Sequence, residues 1–459
     1  MSNQQQVSSP HRSLTVGVFG HYGNENLGDE AIIEAVIQAV RALRPTARIY
    51  GFSINPSDTA RRYGIPAFPI RDFSDRQGAT ASNAVAMGRD ASPARANTPG
   101  RSRLDVAKDI VKRIPLAGGL LRTLRSLASA PAALARELRF LRESRDRMRD
   151  VDLLLVSGSN QFLDNFGGVW GFPYTLLKWS ILAKLAGAKL AFLSVGAGPI
   201  DSPVSRACVR MALRLADYAS FRDEASKQLI ERRRGRRFGE VFPDLAHGLM
   251  FQVRGVSREA NPGGAKRPTV GINPMPIYDR RYWHAPDDHR YWEYVERMAN
   301  LASMLRRDGY GVFFFPTQAR DESVIRDILS KLDEDVRDTA DPQVLVRHAK
   351  SVSDLMNVYA QADMIVATRF HGVLLALRAE RPVLGICYFR KTRDLLREMG
   401  QEACAVDLET FTAADLYERL KTLETNRAQA LVEIRRKGEA YRAELRSQYA
   451  QVLQLTANP

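Results

Sequence analysis

Three side chains near the end of the chain have the types and spacing needed to bind an anion and move a proton. Arg369 and His371 directly follow the apolar segment 363–368, and Lys391 follows the next apolar segment, 382–388. If both segments are parallel strands, they place the three side chains around one point, beside a helix N-terminus that favours anions. Imidazole titrates near neutral pH, so His371 can donate and recover a proton. The alternative is a buried histidine that caps its helix.

An arginine in the first half of the chain is a further candidate for anion binding. Arg222 ends the segment 218–222, where a predicted strand gives way to a helix. Its guanidinium presents a rigid set of donors suited to a carboxylate or a phosphate. The alternative is a surface pair with Asp223 that caps the helix.

Loops rich in small residues complete the candidate site. The loop 20–31 opens a helix, and its glycines and amides suit close approach to an anion or a hydroxyl-rich group. The turns 157–168 and 194–200 follow consecutive predicted strands, where they form a cleft wall or serve only as tight turns. Asp29 is a catalytic candidate, with a plain helix cap as the alternative. The candidate binding residues of these loops are Gly23, Asn26, Gly28, Ser159, Asn160 and Gly196.

The remaining histidines and the cysteines add little to the candidate site. His21 lies in the first loop and is a secondary candidate, and His247 follows the sequence PDLA and could also face a cleft. No group of histidine, cysteine and carboxylate residues has the spacing of metal ligands, so we expect no metal site.

The elements that must position these residues alternate between strand and helix. Near-continuous apolar strands of this kind predict an α/β fold with parallel sheets covered on both faces. A break at 258–267 divides the chain into two doubly wound, Rossmann-like domains, 14–257 and 268–459, that face a cleft; the second ends in a long charged helix. Ligands bind such sheets at the carboxyl ends of the strands. The predicted strands are 14–20, 47–52, 152–158, 189–196, 218–222, 269–273, 310–316, 363–368 and 382–388.

Composition excludes several classes of protein. The 459 residues are 45% hydrophobic and 26% charged, which argues against a disordered, collagenous or disulfide-stapled chain. Three scattered cysteines suggest a reducing compartment. The polar N-terminus lacks the apolar core of a signal peptide, and charged residues interrupt the longest apolar stretches. We therefore expect a cytoplasmic protein that is not integral to a membrane.

The net charge of +15 is concentrated in one segment. Residues 71–150 contain 17 Lys and Arg against nine Asp and Glu. Within this insertion, 77–103 is predicted to be flexible and 104–149 to form a basic, amphipathic helical arm. The arm either packs on its own domain with a solvated basic face or docks on anionic lipid or a partner. It lacks interleaved aromatic residues, which argues against nucleic-acid binding.

The chain resembles the polysaccharide pyruvyl transferase family. The resemblance covers about 14–70 and 151–400 and is carried by GHYGNENLGDEA, GAGPI, FRDEAS and TRFHGVLLALRAERPVLGICYFRK. It implies a two-domain architecture similar to glycosyltransferase-B enzymes. This chain departs from the family at two places. Many relatives have a run of glycines where residues 157–160 of this chain read SGSN. The insertion 71–150 has no counterpart that we can place.

The resemblance implies transfer of a pyruvyl group from phosphoenolpyruvate to two hydroxyls of a saccharide, which gives a pyruvate ketal and phosphate. Arg222 matches the family's donor-binding arginine, His371 its proton donor, and Lys391 its phosphoenolpyruvate-binding lysine. The acceptor would be a polysaccharide or its lipid-linked precursor, and no cofactor is implied. The resemblance also implies that such glycans are often built on lipid carriers at the cytoplasmic membrane. Peripheral contact of 104–149 with that membrane is therefore a further hypothesis.

The residues suit that chemistry independently. Phosphoenolpyruvate has up to three negative charges, and Arg222, Arg369 and Lys391 are the available cations. His371 can protonate the enol methylene, and Asp29 can orient or deprotonate the acceptor hydroxyl. Two alternatives remain: a nucleotide-sugar glycosyltransferase of the same fold, and a non-catalytic glycan-assembly protein.

Overall fold

The chain forms two parallel sheets, each covered by helices, which confirms the predicted fold class. The predicted flexible segment 77–103 and the arm residues 104–130 lie outside the described residues. The computed structural model describes residues 13–23, 26–72, 131, 134–165, 167–231, 238–252, 267–283, 285–334, 336 and 345–456.

The first sheet contains eight parallel strands. They are β1 (Thr15–Phe19), β2 (Arg48–Ser53), β3 (Ala67–Pro69), β4 (Leu153–Ser157), β5 (Asn160–Phe162), β6 (Lys189–Ala197), β7 (Tyr218–Phe221) and β8 (Glu240–Val241). The strand order is β3-β2-β1-β4-β6-β7-β8, and β5 pairs with the end of β6. The central strands β1 and β4 are buried along their whole length, as apolar strands covered on both faces must be.

Five helices and a further helical segment, 134–148, accompany this sheet. The helices are α1 (Leu27–Leu43), α2 (Pro56–Tyr63), α3 (Phe172–Leu185), α4 (Pro203–Leu215) and α5 (Glu224–Glu231). The helix α1 begins within the segment 20–31, at Leu27, because the Asn26 side chain caps it by accepting a hydrogen bond of 3.2 Å from the Gly28 amide.

The second sheet has five parallel strands in the order β10-β9-β11-β12-β13. They are β9 (Thr269–Asn273), β10 (Gly311–Phe314), β11 (Met364–Ala367), β12 (Val383–Cys387) and β13 (Ala405–Asp407). The associated helices are α6 (Asp288–Arg307), α7 (Asp321–Ser330), α8 (Val352–Gln361), α9 (Phe370–Arg378), α10 (Arg390–Glu398), α11 (Ala413–Thr425) and α12 (Arg427–Gln454).

All nine predicted strands are present. The strands that the sequence did not predict, β3, β5, β8 and β13, have two or three residues each, too few for a periodic pattern. The long final helix α12 was assigned to the second domain, and its last turns also reach the first: the Gln448 amide donates a 2.7 Å hydrogen bond to the Ser220 hydroxyl on β7.

The two domains touch directly at the carboxyl ends of their sheets. The strand order reverses between β1 and β4 in the first sheet and between β9 and β11 in the second, and ligands bind at such reversals. Across the cleft, the Leu27 amide donates a 3.1 Å hydrogen bond to the Thr317 carbonyl. No helix among the described residues is long and apolar enough to cross a membrane.

Candidate active site

A cavity of about 170 Å³ lies between the carboxyl ends of the two sheets, and we call it the cleft cavity. Both domains contribute to its wall, and every charged residue that the sequence proposed as a site residue is present there. The lining residues are Asn26, Asp29, Asn160, Arg222, Thr317, Gln318, Arg369, Phe370, His371, Tyr388 and Lys391.

His371 lies between two carboxylates of the other domain. Its Nδ1 is 4.0 Å from Oδ1 of Asp29, and its Nε2 is 3.8 Å from Oδ2 of Asp244. These distances are longer than direct hydrogen bonds, and Nε2 has no hydrogen-bond partner in the described structure although it is buried. The ring therefore has an acidic group on each side and a nitrogen still able to bond a ligand.

The two carboxylates have opposite pKa shifts. Burial raises the pKa of Asp29, and the neighbouring Asp244 adds to that effect while His371 opposes it. Burial also opposes ionisation of Asp244, but His371, Arg222 and the Ala246 amide together hold the pKa of Asp244 well below its usual value. Asp244 is therefore the permanent negative charge of the pair, and Asp29 is the carboxylate that more readily takes up a proton.

Arg222 is 8% exposed and is held on several sides. Its Nη2 donates a 2.6 Å hydrogen bond to Oδ1 of Asn160, and its Nη1 is 3.6 Å from Asp244. The guanidinium carbon lies 4.9 Å from the centre of the Phe370 ring. The alternative contact with Asp223 also exists, at 3.4 Å, and Asp223 caps α5 through the Ser226 amide. The structure thus combines both interpretations of this arginine.

Lys391 is the least neutralised of the three predicted cations. Among the described residues no carboxylate lies within 4.0 Å of its Nζ, which instead lies 5.0 Å from the Phe370 ring centre and 5.7 Å from that of Phe389. Burial lowers the pKa of Lys391 to about 8, and the positive charge of Arg222 contributes to the shift. An anion in the cleft cavity would supply the charge that this ammonium lacks.

Arg369 lines the cleft cavity as predicted, but its charge is already balanced. Its Nε donates to both carboxylate oxygens of Asp321 at 2.8 and 2.9 Å. Asp321 is fully buried and also accepts 3.0 Å hydrogen bonds from the amides of Thr317 and Gln318. Arg369 therefore fixes the β10–α7 loop at the cavity wall and contributes less free charge than the sequence suggested.

The predicted small residues support the site without lining it, except for Asn26 and Asn160. A Cβ atom on Gly28 would lie 2.6 Å from Cβ of His371, so only glycine lets α1 approach the histidine. A Cβ on Gly196 would lie 2.5 Å from Oδ1 of Asn160 and 2.6 Å from Nη2 of Arg222. The close approach of backbone that the sequence predicts for a ligand is therefore made to the side chains of His371, Asn160 and Arg222.

Two other predicted residues have only backbone roles in the structure. The Ser159 carbonyl accepts a 2.9 Å hydrogen bond from the Gly196 amide. Gly23 has a φ of +86° and donates its amide to Glu30 at 2.7 Å. Both residues hold the loops in shape, and neither reaches the cleft cavity.

The other candidate histidines lie outside the cleft cavity. His21 stacks on Phe172 with 3.6 Å between ring centres, and burial lowers its pKa well below the usual value. His247 is buried against Tyr441, and burial lowers its pKa to about 4. Both rings are thus neutral near pH 7. In the described part of the chain, no group of three or more His, Cys, Asp or Glu residues has an arrangement that could hold a metal ion.

Sequence reasoning missed five residues around the cavity. Thr317 and Gln318 follow the predicted strand 310–316, so the rule that ligands bind at strand ends could have found them. Phe370 and Tyr388 adjoin residues that were predicted. Asp244 had no such signal, because it lies between the two-residue strand β8 and the short 3₁₀ turn Leu245–Gly248.

The family model that matches the sequence settles the affiliation of the chain. The model described as "Polysaccharide pyruvyl transferase" matches residues 26–388, which include every lining residue of the cleft cavity except Lys391. The chain belongs to the polysaccharide pyruvyl transferase family. No curated protein matches this family member by sequence.

Solved structures share the fold of this pyruvyl transferase family member. The UDP-GlcNAc 2-epimerase from Neisseria meningitidis bound to UDP-GlcNAc is 12% identical with a TM-score of 0.52, covering 96% of this chain and 99% of that one. The S. aureus MnaA–UDP structure is 9% identical with a TM-score of 0.50, covering 92% and 90%. The E. coli ADP-heptose LPS heptosyltransferase II is 14% identical with a TM-score of 0.41, covering 90% and 99%. The two neighbours with TM-scores of 0.52 and 0.50 establish the two-domain glycosyltransferase-B-like fold alone.

Proposed function

We propose that the protein transfers the pyruvyl group of phosphoenolpyruvate to two hydroxyls of a saccharide, forming a pyruvate ketal and releasing phosphate. The observation that carries the proposal is the position of His371 in a cavity that also contains Arg222 and the unpaired Lys391. Family membership supports a transferase that acts on polysaccharide. The acceptor would be a polysaccharide or its lipid-linked precursor.

The cations of the cleft cavity suit a small, multiply charged donor. Phosphoenolpyruvate contains a carboxylate and a phosphate, and a guanidinium binds either of them with paired hydrogen bonds. Arg222 has a fixed orientation because Asn160 and Asp244 hold it. Lys391 supplies a compact charge near the same ring, that of Phe370. We assign donor binding to these two residues, and a supporting role to Arg369.

The proposed reaction starts with proton transfer to the donor. His371 donates a proton to the methylene carbon, and the adjoining carbon then accepts the oxygen of the first saccharide hydroxyl. The C–O bond to phosphate next breaks with its electrons on the phosphate, and the second hydroxyl oxygen attacks the same carbon to close the ketal. One hydroxyl proton restores His371, and the other leaves through Asp29 or the departing phosphate.

The carboxylates have distinct parts in this scheme. Asp244, whose pKa is lowered, orients the His371 ring from the Nε2 side. Asp29, whose pKa is raised, can take up the proton of an acceptor hydroxyl and release it again. Asn26 fixes Asp29 with a 2.6 Å hydrogen bond. Fixed charges that meet charge developing in the transition state commonly contribute on the order of a hundredfold or more each.

The test follows the donor and the acceptor together. The purified protein is incubated with phosphoenolpyruvate and a panel of free or lipid-linked glycans, and both phosphate release and glycan mass are measured. Phosphate release that requires an acceptor, with a matching gain in glycan mass, is expected. Turnover of a nucleotide sugar in place of phosphoenolpyruvate would show a glycosyltransferase, and no turnover of either donor would favour a non-catalytic assembly protein.

We also propose that the helical segment 134–148 contacts an anionic membrane. Leu134 and Leu138 are 61% and 57% exposed, one helical turn apart. Arg142 and Arg145 are exposed on the same side. Apolar side chains flanked by arginines suit the interface of an anionic bilayer, where a lipid-linked acceptor would be found.

A further inference from the structure

An exposed aromatic side chain stands beside the cleft cavity. Phe389 is the second residue after β12 and is 52% exposed. The preceding residue, Tyr388, lines the cavity, and the two ring centres are 4.3 Å apart. The ring also lies 5.7 Å from Nζ of Lys391, but about half of Phe389 is exposed to solvent, so part of its apolar surface is open to another ligand.

Phe389 is the outer end of a row of aromatic rings. The centre of the Tyr388 ring is 6.1 Å from that of Trp283, and Trp283 is 6.1 Å from Tyr278. Neighbouring rings beyond the first pair meet edge to face. The row therefore starts in the wall of the cleft cavity and extends along the second domain.

The loop that carries Trp283 is held in a fixed shape. Asp279 is 1% exposed, and its carbonyl accepts hydrogen bonds from the amides of Tyr282 and Trp283 at 2.9 and 2.7 Å. Its carboxylate accepts from the Arg281 amide at 2.9 Å and also pairs with the Arg281 side chain. A ring on such a loop loses little conformational entropy when a ligand stacks on it.

A saccharide fits this surface better than other ligands of its size. The C–H face of a pyranose is apolar and packs on an aromatic ring, while its hydroxyls need hydrogen-bonding groups nearby. Gln318, Asn26 and Asp29 line the same cavity and can provide them. The acceptor hydroxyls must also reach the donor carbon beside His371, and a sugar stacked on Tyr388 and Phe389 lies next to that point.

We propose that Tyr388, Phe389 and Trp283 form a binding platform for the acceptor saccharide. The proposal rests on the proposed pyruvyl transfer for the identity of the acceptor. It assigns Phe389 to acceptor recognition and not to donor binding, and so predicts that the two substrates respond differently to its removal.

The experiment compares Phe389→Ala with Phe389→Tyr, which retains the ring, and with Trp292→Ala. Trp292 is 41% exposed and lies on α6, so it is a matched aromatic control outside the row. The probes are the methyl α- and β-glycosides of glucose, galactose and mannose. Saturation-transfer NMR measures their binding with and without phosphoenolpyruvate, and calorimetry measures phosphoenolpyruvate binding separately.

We expect Phe389→Ala to weaken glycoside binding roughly three- to tenfold, as the loss of one aromatic contact predicts, while Phe389→Tyr and Trp292→Ala bind like the wild type. Phosphoenolpyruvate affinity should change less than glycoside affinity in Phe389→Ala, because Lys391 keeps its neighbour Phe370 at 5.0 Å and loses only the ring of Phe389 at 5.7 Å. It should be unchanged in Phe389→Tyr and Trp292→Ala. Unchanged glycoside binding in Phe389→Ala, or no glycoside binding to the wild type, would overturn the platform.

Two further outcomes separate this inference from the proposed function. Binding of uridine monophosphate that disappears in Phe389→Ala would show a nucleotide site and overturn the platform. Failure of phosphoenolpyruvate to bind the wild type would instead refute the donor assignment, and glycoside binding would still decide the platform, because NMR detects it without turnover.

Discussion

At the scale of single residues, the three cations of the cleft cavity differ in the charge they have available. Asp321 neutralises Arg369 through two oxygens, and Asp244 and Asp223 partly balance Arg222. Lys391 has no carboxylate within 4.0 Å among the described residues, although Asp29, Asp223 and Asp244 act on it from farther away. The contribution expected from each residue to donor binding therefore depends on its partners as well as on its residue type.

His371→Ala should abolish most ketal formation while leaving donor binding intact. Loss of a general acid typically lowers a rate roughly 10²- to 10⁴-fold, and the cations that bind the donor remain. Calorimetry with phosphoenolpyruvate and phosphate release with an acceptor measure the two properties. His348→Ala, an exposed histidine on the second domain, is the control. Activity of His371→Ala close to that of the control would remove His371 from the role of acid.

Binding of phosphoenolpyruvate should weaken as the pH rises through about 8. Above its lowered pKa of about 8, Lys391 is neutral in the free protein. Binding of phosphoenolpyruvate next to Lys391 at such a pH must therefore be accompanied by uptake of one proton by this side chain. Affinity then falls by about tenfold per pH unit above the pKa. Titrations at pH 7 to 9.5, in buffers of different ionisation enthalpy, measure both the affinity and the proton uptake.

Lys391→Arg provides the matched control for that titration. A guanidinium stays charged throughout this range, so the variant should show neither the pH slope nor the proton uptake, whatever its absolute affinity. The same slope in wild type and variant would place the titrating group elsewhere.

At the scale of elements, the helical segment 134–148 presents two different faces. Phe140, Ser144 and Met148 are buried, and Glu137 accepts hydrogen bonds of 2.9 Å from Tyr174 and Lys178 of α3. The neighbouring, exposed face presents the two leucines and the arginines described above. Packing on the domain and docking on a membrane, which the sequence posed as alternatives, are thus compatible in this segment.

Replacing Leu134 and Leu138 together by serine should reduce sedimentation with anionic vesicles. Each leucine inserted in the interface contributes through its buried apolar area, and the buried face of the helix is unaffected. Leu185→Ser removes a leucine that is 65% exposed on α3 and is the control. Equal sedimentation of the double variant and the control on phosphatidylglycerol vesicles would argue against membrane docking through this face.

Much of the site follows from sequence because strand ends are recognisable. Arg369 and His371 at β11 and Arg222 at β7 were placed correctly at the cleft, since apolar runs define where these strands end. The sequence could not show that Asp321 neutralises Arg369, because 48 residues separate them and only folding brings them together. Nor could it show Asp244, which follows a strand of two residues.

At the scale of the whole molecule, the two domains share one hydrophobic core. A single cluster of buried side chains includes Val16 and Leu153 of the first sheet and Val270 and Val366 of the second. The helix α1 packs against α8, α9 and α12 of the second domain and connects the two parts. A second cluster, around Phe19 and Trp179, lies on the other face of the first sheet.

Thermal unfolding should therefore occur as one cooperative transition. Separate unfolding of either domain would expose the other domain's side of the shared core to water. That exposure of apolar surface is unfavourable, so the two domains should unfold together. Differential scanning calorimetry is expected to give a single peak. Two resolved peaks, with one retained in a protein that ends before residue 258, would show that the domains are independent units.

The contact of Gly28 with His371 has a consequence for how the site could be altered. His371 belongs to one domain, and both carboxylates beside it belong to the other. The geometry of the proposed proton transfer therefore depends on the packing between the domains as well as on these three side chains. A substitution at this boundary that left every charged residue in place would still change the distances on which the transfer depends.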